Sequence, residues 1–254
     1  MKTTYEQTRQ AWRDIWSGTE FDLELKTLEY PHHQEVLQSY LPFLNAEYPV
    51  LEAGCGPAHV VYYLRERGYN VLGLDYAPEA LEETKKRFPE LPLHLADVHY
   101  LPYPARTFGS YLSFGVVEHF EHGPLPALRE AYRVLRHGGI LVLTVPHPQV
   151  VEMLYQISRR LRPGRYNRLG ERAGYYERTY SHHELAHCVI QAGFTIKQVK
   201  PIGHSYTFYG LHPAFRKPGS YYETTPLGEW AGAIGRSIAP WLTAFHTLII
   251  GYKP

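Results

Sequence analysis

Between residues 50 and 146 the chain alternates short apolar runs with amphipathic stretches. The apolar runs begin near residues 50, 71, 91, 108 and 140, and turn residues bound each of them, as they bound buried strands. Most of the stretches between them carry apolar residues at three- and four-residue spacing, which predicts helices. Strands and helices that alternate with short connections are typical of a parallel sheet with crossover helices. The pattern therefore predicts an α/β fold.

The segment before this alternation, residues 1–44, is predicted to be helical. Trp12 and Trp16 are four residues apart and would share one face of a helix. Pro31 predicts the start of a further helix, which ends near Pro42. We expect most of the aromatic residues here to pack this segment onto the main domain.

After the alternation the pattern is less regular. Residues 147–180 interrupt it, and a capping box at residues 181–184 then predicts a helix, followed by a strand over residues 194–199. Residues 203–235 are rich in aromatic residues and glycine and show no clear period. A last strand is predicted over residues 247–252.

The composition excludes several classes of protein. The 254 residues are 44% hydrophobic and 20% charged, which is typical of a globular protein. The net charge of +1 does not favour binding to nucleic acid. No apolar signal segment opens the chain, and no transmembrane segment is expected, because residues 238–250 fall short of the roughly 20 that span a bilayer. Only Cys55 and Cys188 occur, so a disulfide framework is not expected. We expect a soluble, cytoplasmic protein with one sizeable α/β domain and attachments.

A glycine turn follows the first predicted strand. Gly54 and Gly56 lie between that strand and a helix, which brings backbone N–H groups close to a ligand at the helix N-terminus. Asp75 ends the second predicted strand, where a carboxylate suits the two hydroxyls of a ribose. Together these features predict a ligand that contains a nucleoside. His59 stands at the third glycine position of a dinucleotide-binding fingerprint, which disfavours a nicotinamide cofactor.

Four motifs resemble those of one enzyme family. Residues 52–58 resemble the first motif of class I S-adenosylmethionine (SAM) methyltransferases, with Ala58 in place of the last glycine. Residues 96–103, 108–120 and 128–139 are similar to later motifs of the ubiquinone/menaquinone-biosynthesis-like branch, the type 11 methyltransferases. The motifs follow one another in the order that the family uses.

The resemblance implies the fold and the division of the chain. The expected fold is a Rossmann-like, seven-stranded, mostly parallel sheet with helices on both faces. Residues 1–44 would form an N-terminal helical cap, and residues 45–254 the methyltransferase domain. Insertions at residues 147–180 and 203–240 would interrupt that domain, and an acceptor lid is expected among them.

The resemblance also implies SAM as the cofactor, with S-adenosylhomocysteine as its product. Asp75 would bind the ribose hydroxyls, and Asp97 with Val98 the edge of the adenine. In the family, similar N-terminal helices cap the cofactor, so one of three aromatic residues is expected to face it, namely Tyr5, Trp12 or Trp16. The full set of expected cofactor contacts is Glu52, Gly54, Gly56, Asp75, Tyr76, Asp97, Val98, Ser113 and Phe114.

The implied activity is direct displacement of the SAM methyl group by an oxygen, nitrogen or carbon nucleophile of a small molecule. His119 follows the fourth predicted strand, and histidine titrates near neutral pH, so His119 is the first candidate for a general base. A structural role for His119 is an equal alternative. Tyr180, Tyr206 and His204 are further acceptor-side candidates. Gly115 replaces a glutamate of the metal-binding relatives, so no metal is expected.

Seven arginines and no lysine occur in residues 156–178. Arg162 and Arg165 would suit bidentate capture of an anionic or lipid-like acceptor by a lid, and a solvated surface loop is the other interpretation. Two alternatives to a methyltransferase are kept. One is a SAM-binding, catalytically silent module that acts through partners; the other, with less support, is a nicotinamide-dependent oxidoreductase. The acceptor and the oligomeric state stay open.

Overall fold

A computed structural model of the chain describes residues 4–148 and 177–254. At the centre of these residues lies a seven-stranded sheet made of β1 (Val50–Ala53), β2 (Val71–Asp75), β3 (Leu93–Leu95), β4 (Phe108–Phe114), β5 (Leu135–Pro146), β6 (Thr195–Ile202) and β7 (His246–Tyr252). The strands lie in the order β3-β2-β1-β4-β5-β7-β6. Strands β1 to β5 are parallel, and β7 is antiparallel to both of its neighbours. The predicted mostly parallel sheet is confirmed.

Helices precede the sheet and connect its strands. Several of these helices begin at a proline, among them Pro31, Pro78 and Pro226, because the fixed φ of proline suits a helix start and its missing N–H is not needed there. The predicted capping box between Ser181 and Glu184 opens the helix that begins at His182. The helices of the described residues are α1 (Thr4–Trp16), α2 (Phe21–Thr27), α3 (Pro31–Tyr40), α4 (His59–Arg65), α5 (Pro78–Arg87), α6 (Leu125–Val134), α7 (His182–Gln191), α8 (His204–Leu211), α9 (Pro226–Ile238) and α10 (Pro240–Thr243).

Apolar side chains on the two faces of the sheet form two separate clusters. Leu51 of β1 packs in one cluster with Leu128 of α6 and Leu185 of α7. Its neighbour Val50 packs in the other cluster with Leu64 of α4 and further residues of α3. Successive strand side chains point to opposite faces, so a strand buried on both faces needs a continuous apolar run. This explains why the apolar runs predict the strands correctly.

The order of the strands creates a crevice beside β1. Strand β2 continues the sheet on one side of β1 and β4 on the other, so the chain changes direction there. In open α/β sheets ligands bind in the crevice at the carboxyl ends of strands at such a point. The predicted glycine turn lies there, after β1.

The sheet and helices differ from the predicted pattern in several places. The third strand is shorter than predicted, and the fifth begins at Leu135, before the predicted run. The aperiodic region after residue 203 contains helices α8 and α9. The buried positions of α9 are glycines, and a Cβ at Gly232 would lie 2.5 Å from the backbone nitrogen of Ser205 in α8. Its apolar residues face outwards instead, Trp230 with 64% of its surface exposed and Ile238 with 78%. The more apolar face of α9 is therefore its exposed face, so hydrophobicity does not identify the face that packs against α8.

The N-terminal helices pack against later parts of the described chain. Arg13 of α1 forms an ion pair with Glu79 of α5, with 2.6 Å between Nη2 and Oε1. Glu35 of α3 accepts a hydrogen bond from the backbone N–H of Gly203 at 3.0 Å. None of the described helices has both the length and the apolar character required to cross a membrane.

Candidate active site

A cavity of about 420 Å³ lies at the carboxyl ends of β1, β2 and β4. Residues of α1 to α3 form one side of it, and residues between 202 and 246 form another. Its volume is within the range of small-molecule sites, about 300–1,000 Å³. The cavity is therefore large enough for a small ligand and lies where the fold predicts one.

The glycine turn forms part of the wall in a conformation that requires glycine. Gly54 and Gly56 have φ angles of +79° and +52°, in the left-handed region. A Cβ at Gly56 would lie 2.9 Å from the ring of Trp16, and one at Gly54 would overlap the side chain of Val116. The carbonyl of Leu74 accepts a hydrogen bond from the backbone N–H of Gly54 at 2.7 Å. The turn thus presents bare backbone to the cavity.

Asp75 is held in place by the same turn. Its Oδ2 accepts a hydrogen bond from the backbone N–H of Gly56 at 2.9 Å, and its Oδ1 accepts one from Ala77 at 2.9 Å. Burial raises the pKa of Asp75, although these N–H donors favour the charged form. The backbone N–H of Tyr76 also acts on this carboxylate, and since an ionised carboxylate has about four acceptor positions, these donors leave capacity for a ribose hydroxyl. The geometry fits the expected ribose contact.

The other expected adenine-side residues line the cavity together. Tyr76, Asp97 and Val98 all contribute to the wall. Oδ1 of Asp97 accepts a hydrogen bond from the backbone N–H of His99 at 2.8 Å, which orients the carboxylate. The guanidinium of Arg9 lies 5.6 Å from the ring centre of Tyr76. We call this part of the cavity, with the glycine turn and Asp75, the cofactor end.

Two of the three N-terminal aromatic residues face this cavity. Trp12 and Trp16 both line it, and their rings stack with 5.4 Å between centroids. His119, the predicted general base, also lines the cavity. Its ring packs edge-on against the ring of Trp12, with 5.0 Å between the ring centres. The side chain of Tyr5 lies outside the described part of the structure. Which aromatic residue faces the cofactor therefore stays a prediction.

Besides the residues of the cofactor end, the cavity is lined by histidine and tyrosine rings that the sequence analysis missed as site residues, apart from Tyr206. The rings of His32 and His33 at the start of α3 are 4.2 Å apart, and His32 lies 4.5 Å from Tyr206. A His-His pair in the first turn of a helix was the available signal. We call this region the inner chamber, lined by His32, His33, Tyr40, His59, Tyr206, Tyr222 and His246.

Several expected residues do not contribute to the described lining of the cavity. Ser113 is buried and absent from that lining, whereas its neighbour Phe114 is part of it, because adjacent strand side chains point to opposite faces. Tyr180 is buried in the core cluster of Leu185. His204 is also buried away from the cavity, with its Nδ1 2.9 Å from the hydroxyl of Thr243. Arg162 and Arg165 lie outside the described residues, as does most of the arginine-rich segment.

Glu52, another expected cofactor contact, is buried in the cavity wall. Burial raises the pKa of Glu52 well above its usual range, although the backbone N–H of Val61 stabilises the charged form. Its Oε2 makes no hydrogen bond within the described structure. A buried carboxyl group of this kind fits a cationic ligand group, because a nearby positive charge offsets the cost of ionisation.

The histidines of the inner chamber are electrically neutral near pH 7. Burial lowers the pKa of His32 to about 2, of His33 to about 4, and of His59 and His246 to about 3. Despite these histidines, no group of three or more histidine, cysteine, aspartate or glutamate side chains among residues 4–148 and 177–254 could hold a metal ion. The inner chamber thus offers neutral polar rings rather than charges.

Replacing His246 with glutamine is expected to reduce the acid sensitivity of the fold. His246 is neutral when folded and gains a proton on unfolding below pH 6.5, so it stabilises the fold above pH 6.5, and that contribution is lost as the pH falls towards 3. Between pH 7.5 and pH 5.0 wild type should lose about 2 kcal/mol more unfolding free energy than His246→Gln. Urea unfolding at both pH values measures this difference.

The pH dependence of wild type alone does not isolate His246, because buried carboxyl groups change the unfolding free energy in the opposite direction as the pH falls. The comparison with His246→Gln is therefore needed. Burial raises the pKa of Glu118 to about 8, so this group destabilises the fold above its unfolded pKa and the loss is recovered on acidification. The exposed His187 supplies the control, since His187→Gln should retain the wild-type pH dependence. Equal pH dependence in wild type and His246→Gln would show that His246 is not buried in its neutral form.

Comparisons with known proteins agree with the geometry. Residues 51–143 match a family model described as a methyltransferase domain. Residues 51–143 therefore carry a methyltransferase domain. A probable SAM-dependent methyltransferase of Mycobacterium tuberculosis is 28% identical over 173 residues, which cover 68% of this chain and 58% of that protein. The malonyl-acyl-carrier-protein O-methyltransferase of Salmonella typhimurium is 38% identical over 96 residues, 37% of this chain and 38% of that protein.

Solved structures support the fold of this methyltransferase domain. The 1,6-didemethyltoxoflavin-N1-methyltransferase of Burkholderia thailandensis, solved with its substrate and S-adenosylhomocysteine, superposes with a TM-score of 0.62 at 18% identity. The match covers all of this chain and 91% of that one. The comparisons confirm the resemblance that the four motifs carry, and with it SAM as the cofactor. The chain spans less than two thirds of the length of the M. tuberculosis relative.

Proposed function

We propose that this chain transfers a methyl group from SAM to a small-molecule acceptor. The observation that carries the proposal is the continuity of one cavity from the methyltransferase motifs to the inner chamber. The wall includes Gly56, Asp75 and Asp97 at the cofactor end, and His33 and Tyr206 at the other. A methyltransferase needs both a cofactor site and an adjoining acceptor site, and one continuous cavity would allow the two to adjoin.

The residues at the cofactor end fit SAM group by group. Asp75 would accept a hydrogen bond from a ribose hydroxyl, and Asp97 would accept one from the adenine amino group. The bare backbone of Gly54 and Gly56 would allow the methionine part to approach closely. Glu52 would pair with a positive charge of the cofactor, which accounts for a carboxyl group that is buried beside it with an unpaired oxygen.

The chain's own contribution to the reaction would be alignment and proton removal. When bound, SAM supplies an activated methyl group on a positively charged sulfur, which a nucleophile displaces directly. The cavity walls would hold the nucleophile in line with that methyl group and exclude water. His119, which lines the cavity, would take the proton that an oxygen or nitrogen nucleophile loses.

The relatives leave the methylated atom open. The S. typhimurium relative is named as an O-methyltransferase and the B. thailandensis neighbour as an N1-methyltransferase. The proposal therefore covers oxygen, nitrogen and carbon acceptors. We propose residues 1–44 as a cap over the cofactor, because Trp12 and Trp16 line its end of the cavity.

Calorimetry and a transfer assay test the proposal. The chain should bind SAM and S-adenosylhomocysteine but not NAD, and it should move a labelled methyl group from SAM to a component of a metabolite extract. Binding of NAD without SAM would favour an oxidoreductase instead. Binding of SAM without transfer to any extract would favour the catalytically silent module.

A further inference from the structure

The inner chamber is built from aromatic rings that come from distant parts of the chain. Tyr206 of α8 lies 4.5 Å from His32 and 4.7 Å from Phe245, ring centre to ring centre. Tyr40 lies 5.5 Å from Phe114 of β4. Aromatic faces pack best against other flat rings, in stacked or edge-on arrangements. The shape of the wall therefore suits a flat, ring-shaped ligand.

Polar atoms in this wall are short of partners. The Nδ1 atoms of His32, His33 and His59 and the hydroxyl of Tyr40 are buried and make no hydrogen bond within the described structure. More than about 90% of buried polar groups in proteins are paired, and an unpaired group costs free energy. Four such groups around one chamber indicate that its occupant brings polar atoms of its own.

Charge separates the two ends of the cavity. Among the described residues that line it, Arg9 is the only arginine or lysine, and its guanidinium lies beside Tyr76 at the cofactor end. The imidazoles of the inner chamber are neutral because burial lowers the pKa of each. Glu24 is occupied by a hydrogen bond from the hydroxyl of Tyr221 at 2.5 Å. A carboxylate or phosphate would enter this chamber without a cationic partner, which is costly.

His33 has a defined hydrogen-bonding role in the chamber. The backbone carbonyl of Thr27 acts on its ring as a hydrogen-bond acceptor and raises its pKa, and Nδ1 makes no hydrogen bond within the described structure, so we assign the proton to Nε2. In a neutral imidazole the other nitrogen is then a lone-pair acceptor. His33 would therefore accept a hydrogen bond from a ligand, and His32 beside it would pack against the same ring.

We propose that the inner chamber selects an uncharged, flat, ring-shaped acceptor with an N–H or O–H group, and that His33 accepts the hydrogen bond from that group. This inference rests on the proposed methyl transfer and specifies its substrate class. It differs from the anionic or lipid-like acceptor that the arginine-rich segment suggests, because the chamber's described wall provides no cation. His33 is the specificity-determining residue in this proposal.

Matched pairs of probes test the proposal with the full chain saturated with S-adenosylhomocysteine. One pair is 4-hydroxyquinoline and 4-hydroxyquinoline-2-carboxylate; the other is methyl 4-hydroxybenzoate and 4-hydroxybenzoate. In each pair the ring and its donor are retained, and the carboxylate is replaced by hydrogen in the first pair and by its uncharged methyl ester in the second. Calorimetry should show that at least one uncharged probe binds ten or more times tighter than its carboxylate.

Variants then assign the preference to His33. His33→Leu should weaken the preferred uncharged probe about tenfold and leave the affinity for S-adenosylhomocysteine unchanged, whereas His33→Gln, which keeps an acceptor, should restore most of the binding. His187→Leu, on the exposed face of α7, is the control and should bind as wild type does.

The outcomes separate this inference from the proposed function. Equal or tighter binding of the carboxylates, or no binding of any probe by a protein that binds S-adenosylhomocysteine, overturns the inference and leaves methyl transfer intact. Failure of wild type to bind S-adenosylhomocysteine overturns the proposed function itself. Unchanged probe binding in a folded His33→Leu protein removes His33 from the proposal.

Discussion

The Asp75→Ala protein should bind SAM about 10 to 150 times more weakly than wild type. The substitution removes a charged acceptor from a ribose hydroxyl, and a hydrogen bond to a charged group contributes about 1.5–3 kcal/mol. Asp75 also accepts hydrogen bonds from the backbone N–H groups of Gly56 and Ala77, so its loss loosens the turn that approaches the cofactor. Titration calorimetry with SAM and S-adenosylhomocysteine measures the change.

A ligand without the hydroxyl group separates the direct contact from the loosened turn. Methylthioadenosine and its 2′-deoxy analogue differ in one ribose hydroxyl. Wild type should discriminate between them, and Asp75→Ala should not, because the group that senses the hydroxyl is gone. If a folded Asp75→Ala protein keeps the wild-type dissociation constant for SAM, or still discriminates between the two nucleosides, the assignment to the ribose is wrong.

The second large effect is expected at His119, on turnover rather than on cofactor binding. His119→Ala should lower the rate of methyl transfer about 100-fold or more while the affinity for SAM stays nearly unchanged, as the loss of a general base does. The rise of the rate with pH that a general base produces should disappear in the variant. Single-turnover assays at several pH values, with calorimetry in parallel, measure both quantities.

The contact between His119 and Trp12 provides the matched control. The two rings meet at 5.0 Å, so a purely structural His119 would act by holding Trp12 in the cavity wall. Trp12→Phe disturbs that packing and leaves His119 in place, and should therefore keep the wild-type pH profile. Loss of SAM binding or of the fold in His119→Ala, or an unchanged pH profile, would assign His119 a structural role.

The cofactor end could be predicted from the sequence because its chemistry is local. The turn needs positive φ angles, and glycine is the residue that adopts them without strain, so Gly54 and Gly56 mark the turn directly. Asp75 follows an apolar run, and parallel strands bring their carboxyl ends to one edge of the sheet. Local residue types and regular topology together predict this end of the cavity.

Even within these motifs, the sequence alone does not predict which side chains point into the cavity. Ser113 and Phe114 are neighbours on β4, and the motif alone does not say which of the two faces the cavity. The register of β4 against β1 decides it, because adjacent strand side chains point to opposite faces. Phe114 lines the cavity, and Ser113 is buried elsewhere.

The inner chamber was decided by tertiary structure alone. Its histidines come from α3, from α4 and from the start of β7, which are brought together because β7 lies between β5 and β6 and α3 packs against the end of β6. No local pattern encodes such a meeting, and α9 shows no apolar period that identifies its buried face, since it packs through glycines and exposes Trp230. The sequence by itself determined the sheet, the glycine turn and the cofactor class, because periodicity and φ preference are properties of neighbouring residues. Long-range packing determined the lining of the acceptor site, because contacts between distant segments exist only in the folded chain.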